Sequence, residues 1–146
     1  MARFRSRFEI VYRVRTQEEQ RAQREVSEAL MALRSLVHEK AKMIQDREAS
    51  AERRESLPKI EGPINRFQIE DSFIEGAKVR IQQIDYKIHR AEKRYLRLLD
   101  VFQEKQKNRK MIEKLMEKEK ENFRSSQKKK EQKELDDLST MRRRGA

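Results

Sequence analysis

Apolar side chains recur three and four residues apart through most of the second half of this sequence: Ile74, Ala77, Ile81, Ile84, Ile88, Ala91, Tyr95, Leu98 and Phe102, then, after a polar break, Ile112, Met116 and Phe123. A straight α-helix drifts about 20° per heptad from a seven-residue repeat, so a stripe held this long predicts a helix supercoiled against a partner. A rougher stripe precedes it, through Phe4, Phe8, Val11, Ala22, Val26, Leu30, Leu33, Val37, Ala41, Ile44 and Ala51. Between the two lies Leu57-Pro58-Lys59-Ile60-Glu61-Gly62-Pro63. The prediction is all-α: a long antiparallel two-helix coiled-coil hairpin forming a single domain over 1–146, with helix 1 at about 3–56, a turn at 57–64, and helix 2 at about 65–142 overhanging at its C-terminal end.

Local signals set the ends. Pro58 disfavours helical geometry at the residue before it and stops helix 1 near Ser56. Helix 2 has two candidate caps, Asn65 with Gln68 three residues on, or Asp71. Gly145 follows three arginines that suit the negative helix end. A fold centred near Glu61 sets Phe4 beside Lys118. It also brings the polar breaks of the two stripes, Arg15 and Glu18 against Lys105 and Arg109, to one level. Glu18 is expected to pair across the interface with Arg109 or Lys105, marking register more than adding stability. Ala77 and Ala91 occupy seam positions, where a small side chain lets the helices approach closely.

Composition narrows the picture. With 43% charged and 35% hydrophobic residues, 146 residues cannot close a deep globular core, so the core is a line. Cysteine is absent, which removes disulfides and thiolate chemistry. No apolar run approaches the roughly 20 residues of a membrane span. The arginine-rich start, Met1 to Phe8, lacks the apolar run of a secretory signal, so a soluble cytoplasmic protein with an intact amino terminus is expected.

Net charge is +11, and its distribution is uneven. Residues 1–15 hold five arginines and one glutamate, residues 105–146 hold fifteen bases and eight acids, and residues 16–104 balance at seventeen of each. An antiparallel hairpin would join both basic ends in one tip that attracts acidic partners.

Catalytic readings lack parts. His38 and His89 have no second ligand at i+4, and His89 with Glu92 makes a poor metal site on an open helix. Acidic pairs such as Asp136-Asp137 and Glu18-Glu19 read as solvated faces. No glycine-rich phosphate loop or activated nucleophile is present, so neither enzyme activity nor a cofactor is expected. Two surfaces are more informative. Ile69, Phe73, Val79 and Tyr86 point away from the seam, with Gly76 among them, and form a docking face unless Ile60 and Ile64 fold back over part of it. Leu135, Leu138 and Met141 form a short stripe between Lys128-Lys129-Lys130 and Arg142-Arg143-Arg144. That stripe suits insertion into an acidic, partly apolar socket, or else belongs to a frayed tail.

The run Lys110-Met111-Ile112-Glu113-Lys114-Leu115-Met116-Glu117-Lys118, followed by Glu131-Gln132-Lys133-Glu134-Leu135-Asp136-Asp137, resembles the C-terminal signature of the FliJ family of flagellar type III export proteins. Phe4 to Arg15 and Glu18 to Glu25 resemble its amino-terminal helix. The resemblance implies an antiparallel coiled coil like the stalk subunit of rotary ATPases. It also implies a non-enzymatic coupling role in flagellar protein export, with the basic tip inserted in the hexameric export ATPase and other surfaces meeting the export gate protein FlhA and export chaperones. Such a protein would be cytoplasmic and peripherally associated with the inner-membrane export apparatus.

Under that implication, gate docking falls to Ile69, Phe73, Gly76, Ala77 and Val79. The ATPase-binding tip falls to Arg3, Arg5, Arg7, Lys128, Lys129, Lys133, Leu135, Asp136, Leu138 and Met141. Alternatives from the residues themselves are a nucleic-acid-binding tip and a purely structural coiled coil that dimerises; the resemblance also leaves open the equivalent stalk of a virulence secretion system. Nucleic acid is disfavoured because Glu113, Glu117, Glu119, Glu121, Glu131 and Glu134 interrupt the bases.

Overall fold

The computed structural model describes residues 3–57 and 64–145, with side chains of the second segment described from Arg66. Two α-helices, α1 (Glu9–Ser56) and α2 (Ile64–Arg144), make up almost all of it, and no strand occurs among the described residues. Contacts divide the chain into a terminal unit, 1–21 with 102–146, and a central unit, 22–101. In each, a stretch of α1 runs antiparallel to a stretch of α2, giving the expected all-α helical hairpin. The proline-glycine bend from Pro58 to Pro63, Ile60 within it, and the side chains of Ile64 and Asn65 lie outside the described residues.

In the central unit the α2 seam is the predicted one. Ala77, Ile81 and Ile84 are buried, and Ile74, Ile88, Ala91, Tyr95 and Leu98 are half-buried. Each fully buried isoleucine contributes about 1.5–3 kcal/mol through removal from water.

The α1 seam differs from the expectation in its later half. A repeat of alternating steps of four and three runs through Ala22, Val26, Ala29, Leu33, Leu36, Lys40, Met43, Arg47 and Ser50, and the expected Leu30, Ile44 and Ala51 are half-buried beside it. Val37 is half exposed and Ala41 lies on the surface, so both are off the seam. A supercoiled pair keeps the seven-residue repeat even where the residue there is polar, as at Lys40, and Ala41 one position later stays outside. Lys40 lays its stem along the seam and pairs with Asp85 at 2.6 Å. Ser50, fully buried, donates to the carboxylate of Glu70, which Arg53 also contacts at 3.2 Å. These bonds hold Glu70 below the ordinary carboxylate range, the Ser50 hydroxyl being the larger cause and partial burial opposing it. Asp71, a candidate cap, sits inside α2 and pairs with Arg54.

In the terminal unit α1 begins at Glu9 rather than Arg3. Before it residues 3–6 form a non-helical arm and Arg7 and Phe8 a turn; Arg3, Arg5 and Arg7 are exposed while Phe4, Ser6 and Phe8 are half-buried, an alternation with the period of two of extended chain. Ser6 ends this arm, its Oγ accepting the Phe8 N–H at 3.1 Å and its carbonyl accepting the Glu9 N–H at 3.4 Å. The arm lies on α2 through the Phe4 and Phe123 rings, 5.3 Å apart, and through Glu119, which accepts from the Ser6 hydroxyl and the Arg7 N–H. Phe4 therefore meets Phe123 rather than Lys118. Extended chain advances about 3.3 Å per residue against 1.5 Å in a helix, so the arm reaches further along α2 than a helical start would.

The expected polar layer forms. Glu18 pairs with Lys105 at 3.5 Å and with Arg15 at 3.4 Å, while Arg109 takes Glu19 instead. Arg109 also reaches Glu113 at 2.8 Å, and Glu113 accepts the Tyr12 hydroxyl at 3.1 Å. The hydrogen bond to Glu19 is the main reason the Arg109 guanidinium holds its proton still more firmly than usual.

Candidate interaction surfaces

Charge concentrates in the terminal unit. It carries 21 bases and 12 acids, against 16 and 14 in the central unit. Arg3, Arg5 and Arg7 stand exposed along the extended arm because alternation sends every second side chain outward. On α2, inward contacts end near Phe123 and Gln127, and residues 128–145 are exposed without exception. Lys128, Lys129, Lys133, Leu135, Asp136, Leu138 and Met141 all lie on this unpartnered helix. Leu135, Leu138 and Met141 are 57–71% exposed. The helix continues to Arg144 and closes when the Gly145 N–H bonds the Met141 carbonyl at 3.0 Å, with three arginines in the last turn. Asp136 accepts from Gln132 at 3.3 Å and so supports its own helix.

The terminal unit also carries an apolar patch that the sequence pattern did not single out. Val11 falls outside the seam, its place taken by Tyr12, and Val14, Met111 and Leu115 are likewise 43–62% exposed. The antiparallel register brings residues 11–14 and 111–115 to one level. The signal lay in the seven-residue repeat, which puts Tyr12 inward and Val11 one step round.

In the central unit the outer face of α2 is open as expected, with one correction. Ile69, Val79 and Tyr86 are 53–65% exposed. Phe73 is half-buried, its ring beneath the Arg80 guanidinium at 5.4 Å. Ala77 is only 2% exposed: it is a seam residue and offers no outer surface. It forms the floor of a notch between Phe73, Arg80 and, on α1, Met43 and Asp46. At Gly76, next along α2, an added Cβ would meet only the Arg80 Nη2, at 3.9 Å.

No group of three or more metal-ligating side chains gathers among the described residues. No described helix is long and apolar enough to cross a membrane.

A family model described as Flagellar FliJ protein matches residues 4–146. No curated protein and no solved structure matches the chain.

Proposed function

The chain belongs to the FliJ family of flagellar proteins, and from that premise we propose that it couples the flagellar export ATPase to the export gate without catalysing a reaction itself. Membership makes it a flagellar export-related protein; the partners are our reading. The observation that carries it is the terminal unit, where most of the excess positive charge accompanies a helix whose residues 128–145 are exposed, with nothing packed on them among the described residues. A cationic helix bearing Leu135, Leu138 and Met141 suits an acidic, partly apolar socket such as the pore of the hexameric export ATPase. Arg3, Arg5, Arg7, Lys128, Lys129 and Lys133 steer it there, and the three apolar side chains make the short-range contact. The face of Ile69, Phe73, Gly76 and Val79 is assigned to the gate protein FlhA, with Ala77 as its floor. Export chaperones are further partners, and the protein works in the cytoplasm, peripheral to the membrane apparatus.

Nucleic acid is the second reading, favoured by the same charge. A single experiment separates the two: the chain is mixed with the export ATPase or with duplex DNA at physiological salt, and hydrolysis and binding are followed together. Stimulated hydrolysis without tight DNA binding supports coupling. Tight, steeply salt-dependent DNA binding without stimulation refutes it. Truncation after Gln127 is expected to abolish stimulation, and Phe73→Ala to spare it while weakening gate binding.

A further inference from the structure

In the central unit, α2 carries four bases in eight residues, Arg90, Lys93, Arg94 and Arg97, with Glu92 as the sole acid among them. Their side chains line one cleft of about 590 Å³ beside α1. Tyr86 and His89 complete its α2 side, and the residues between the helices are small: Ala91 on α2, and Ala29 and Ala32 on α1. Ala29 is a seam residue, 6% exposed, and its short side chain is what leaves the trough between the helices.

The charge in this trough is uncompensated. Elsewhere in the same unit Lys40, Arg53 and Arg54 each reach a carboxylate on α2. Among the described residues, Arg90, Lys93, Arg94 and Arg97 make no ion pair. Only Arg90 has a charged-group contact, over the Tyr86 ring at 5.9 Å. The spacing also works against the helix. Arg90 with Arg94 and Lys93 with Arg97 are like-charged i,i+4 pairs, which destabilise a helix where a Glu to Lys pair would support it.

We infer that the trough is a docking groove for an acidic amphipathic helix of a partner protein, one presenting carboxylates at i, i+4 and i+7 beside small apolar residues. Arg90, Arg94 and Arg97 repeat with that spacing along about two helical turns, so carboxylates on a helix running parallel to α2 meet them in register. The alanine floor decides between helix and duplex. A helix about 10 Å across settles between the walls and covers Ala29, Ala32 and Ala91, whose size allows close approach. A nucleic-acid duplex, broader than the trough, would rest on the guanidinium groups and leave the floor uncovered. This groove is independent of the coupling role and of the Phe73 notch.

The test uses the full chain and a fluorescein-labelled 21-residue helical peptide with glutamates at i, i+4 and i+7 and alanines adjacent on the same face, followed by anisotropy. Its controls are a peptide of equal charge and helicity with the glutamates dispersed around the helix, and a duplex DNA of similar charge. The patterned peptide is expected to bind, and Arg94→Glu with Arg97→Glu to weaken it at least about tenfold. Ala32→Gln, which fills the floor without altering charge, is expected to weaken the peptide several-fold and leave DNA unaffected. Far-UV circular dichroism checks that each variant keeps its helix. Failure of the patterned peptide to bind overturns the proposal, as does equal binding of the dispersed one. Indifference to Ala32→Gln overturns it too, as would DNA binding that Arg94→Glu and Arg97→Glu abolish while the peptide is unaffected.

Discussion

Arg109→Ala would unhook two carboxylates at once. Arg109 is 19% exposed and Glu19 is 15% exposed, so their contact is shielded from water on most sides, whereas Glu113 is 41% exposed. A hydrogen bond between charged groups contributes about 1.5–3 kcal/mol net, and an exposed ion pair about 0–1 kcal/mol. Losing both, and leaving Glu19 inside the seam without its cation, predicts a destabilisation of about 2–4 kcal/mol. Urea unfolding followed by far-UV circular dichroism measures it, and a cycle with Glu19→Ala isolates the pair. The expected coupling is about 1–2 kcal/mol, only weakly reduced by salt because the pair is shielded. Replacing both partners by leucine should recover much of the loss, since a filled apolar seam needs no compensating charge. A coupling below about 0.5 kcal/mol, or its disappearance in high salt, would refute the shielded layer and make these contacts ordinary surface pairs.

Three further outcomes follow from the packing. Gly76→Ala should raise stability by about 1 kcal/mol, read as a higher urea midpoint, because the added methyl meets only a flexible guanidinium and a helix-interior glycine costs that much. Ile84→Ala, at a site 3% exposed, should cost about 2–4 kcal/mol in the same assay, whereas Val37→Ala, half exposed and off the seam, should cost little. Glu70 has a depressed folded-state pKa, so its contribution is present above the ordinary carboxylate range and is lost as pH falls through the folded value. Melting temperatures from about pH 7 to about pH 3 should therefore fall less steeply for Glu70→Gln than for the parent chain.

What the sequence determined is the helices and their α2 seam. Ile81, Ile84 and their neighbours repeat so regularly that burial along one line was the only arrangement available to them. Charge segregation was equally legible, because it depends on composition by position and on the antiparallel return alone. The α1 seam was legible except at Val11, Val37 and Ala41. Its inward positions include Lys40, Arg47 and Ser50, which a search for apolar residues passes over, taking Ala41 in place of Lys40 and, of two adjacent apolar residues, Val37 in place of Leu36. Only packing against a fixed α2 repeat shows that position in the heptad overrides side-chain type. The arm from Arg3 to Phe8 was open to two readings, since Phe4 and Phe8 fit a helical spacing and an extended alternation alike. Contact with Phe123 and Glu119 selects the second, because an extended arm places Phe4, Ser6 and Phe8 on one side together. The trough beside Arg90, Arg94 and Arg97 likewise needed the fold: the sequence gathers the bases on one helix face, but only the opposing Ala29 and Ala32 turn that face into a groove.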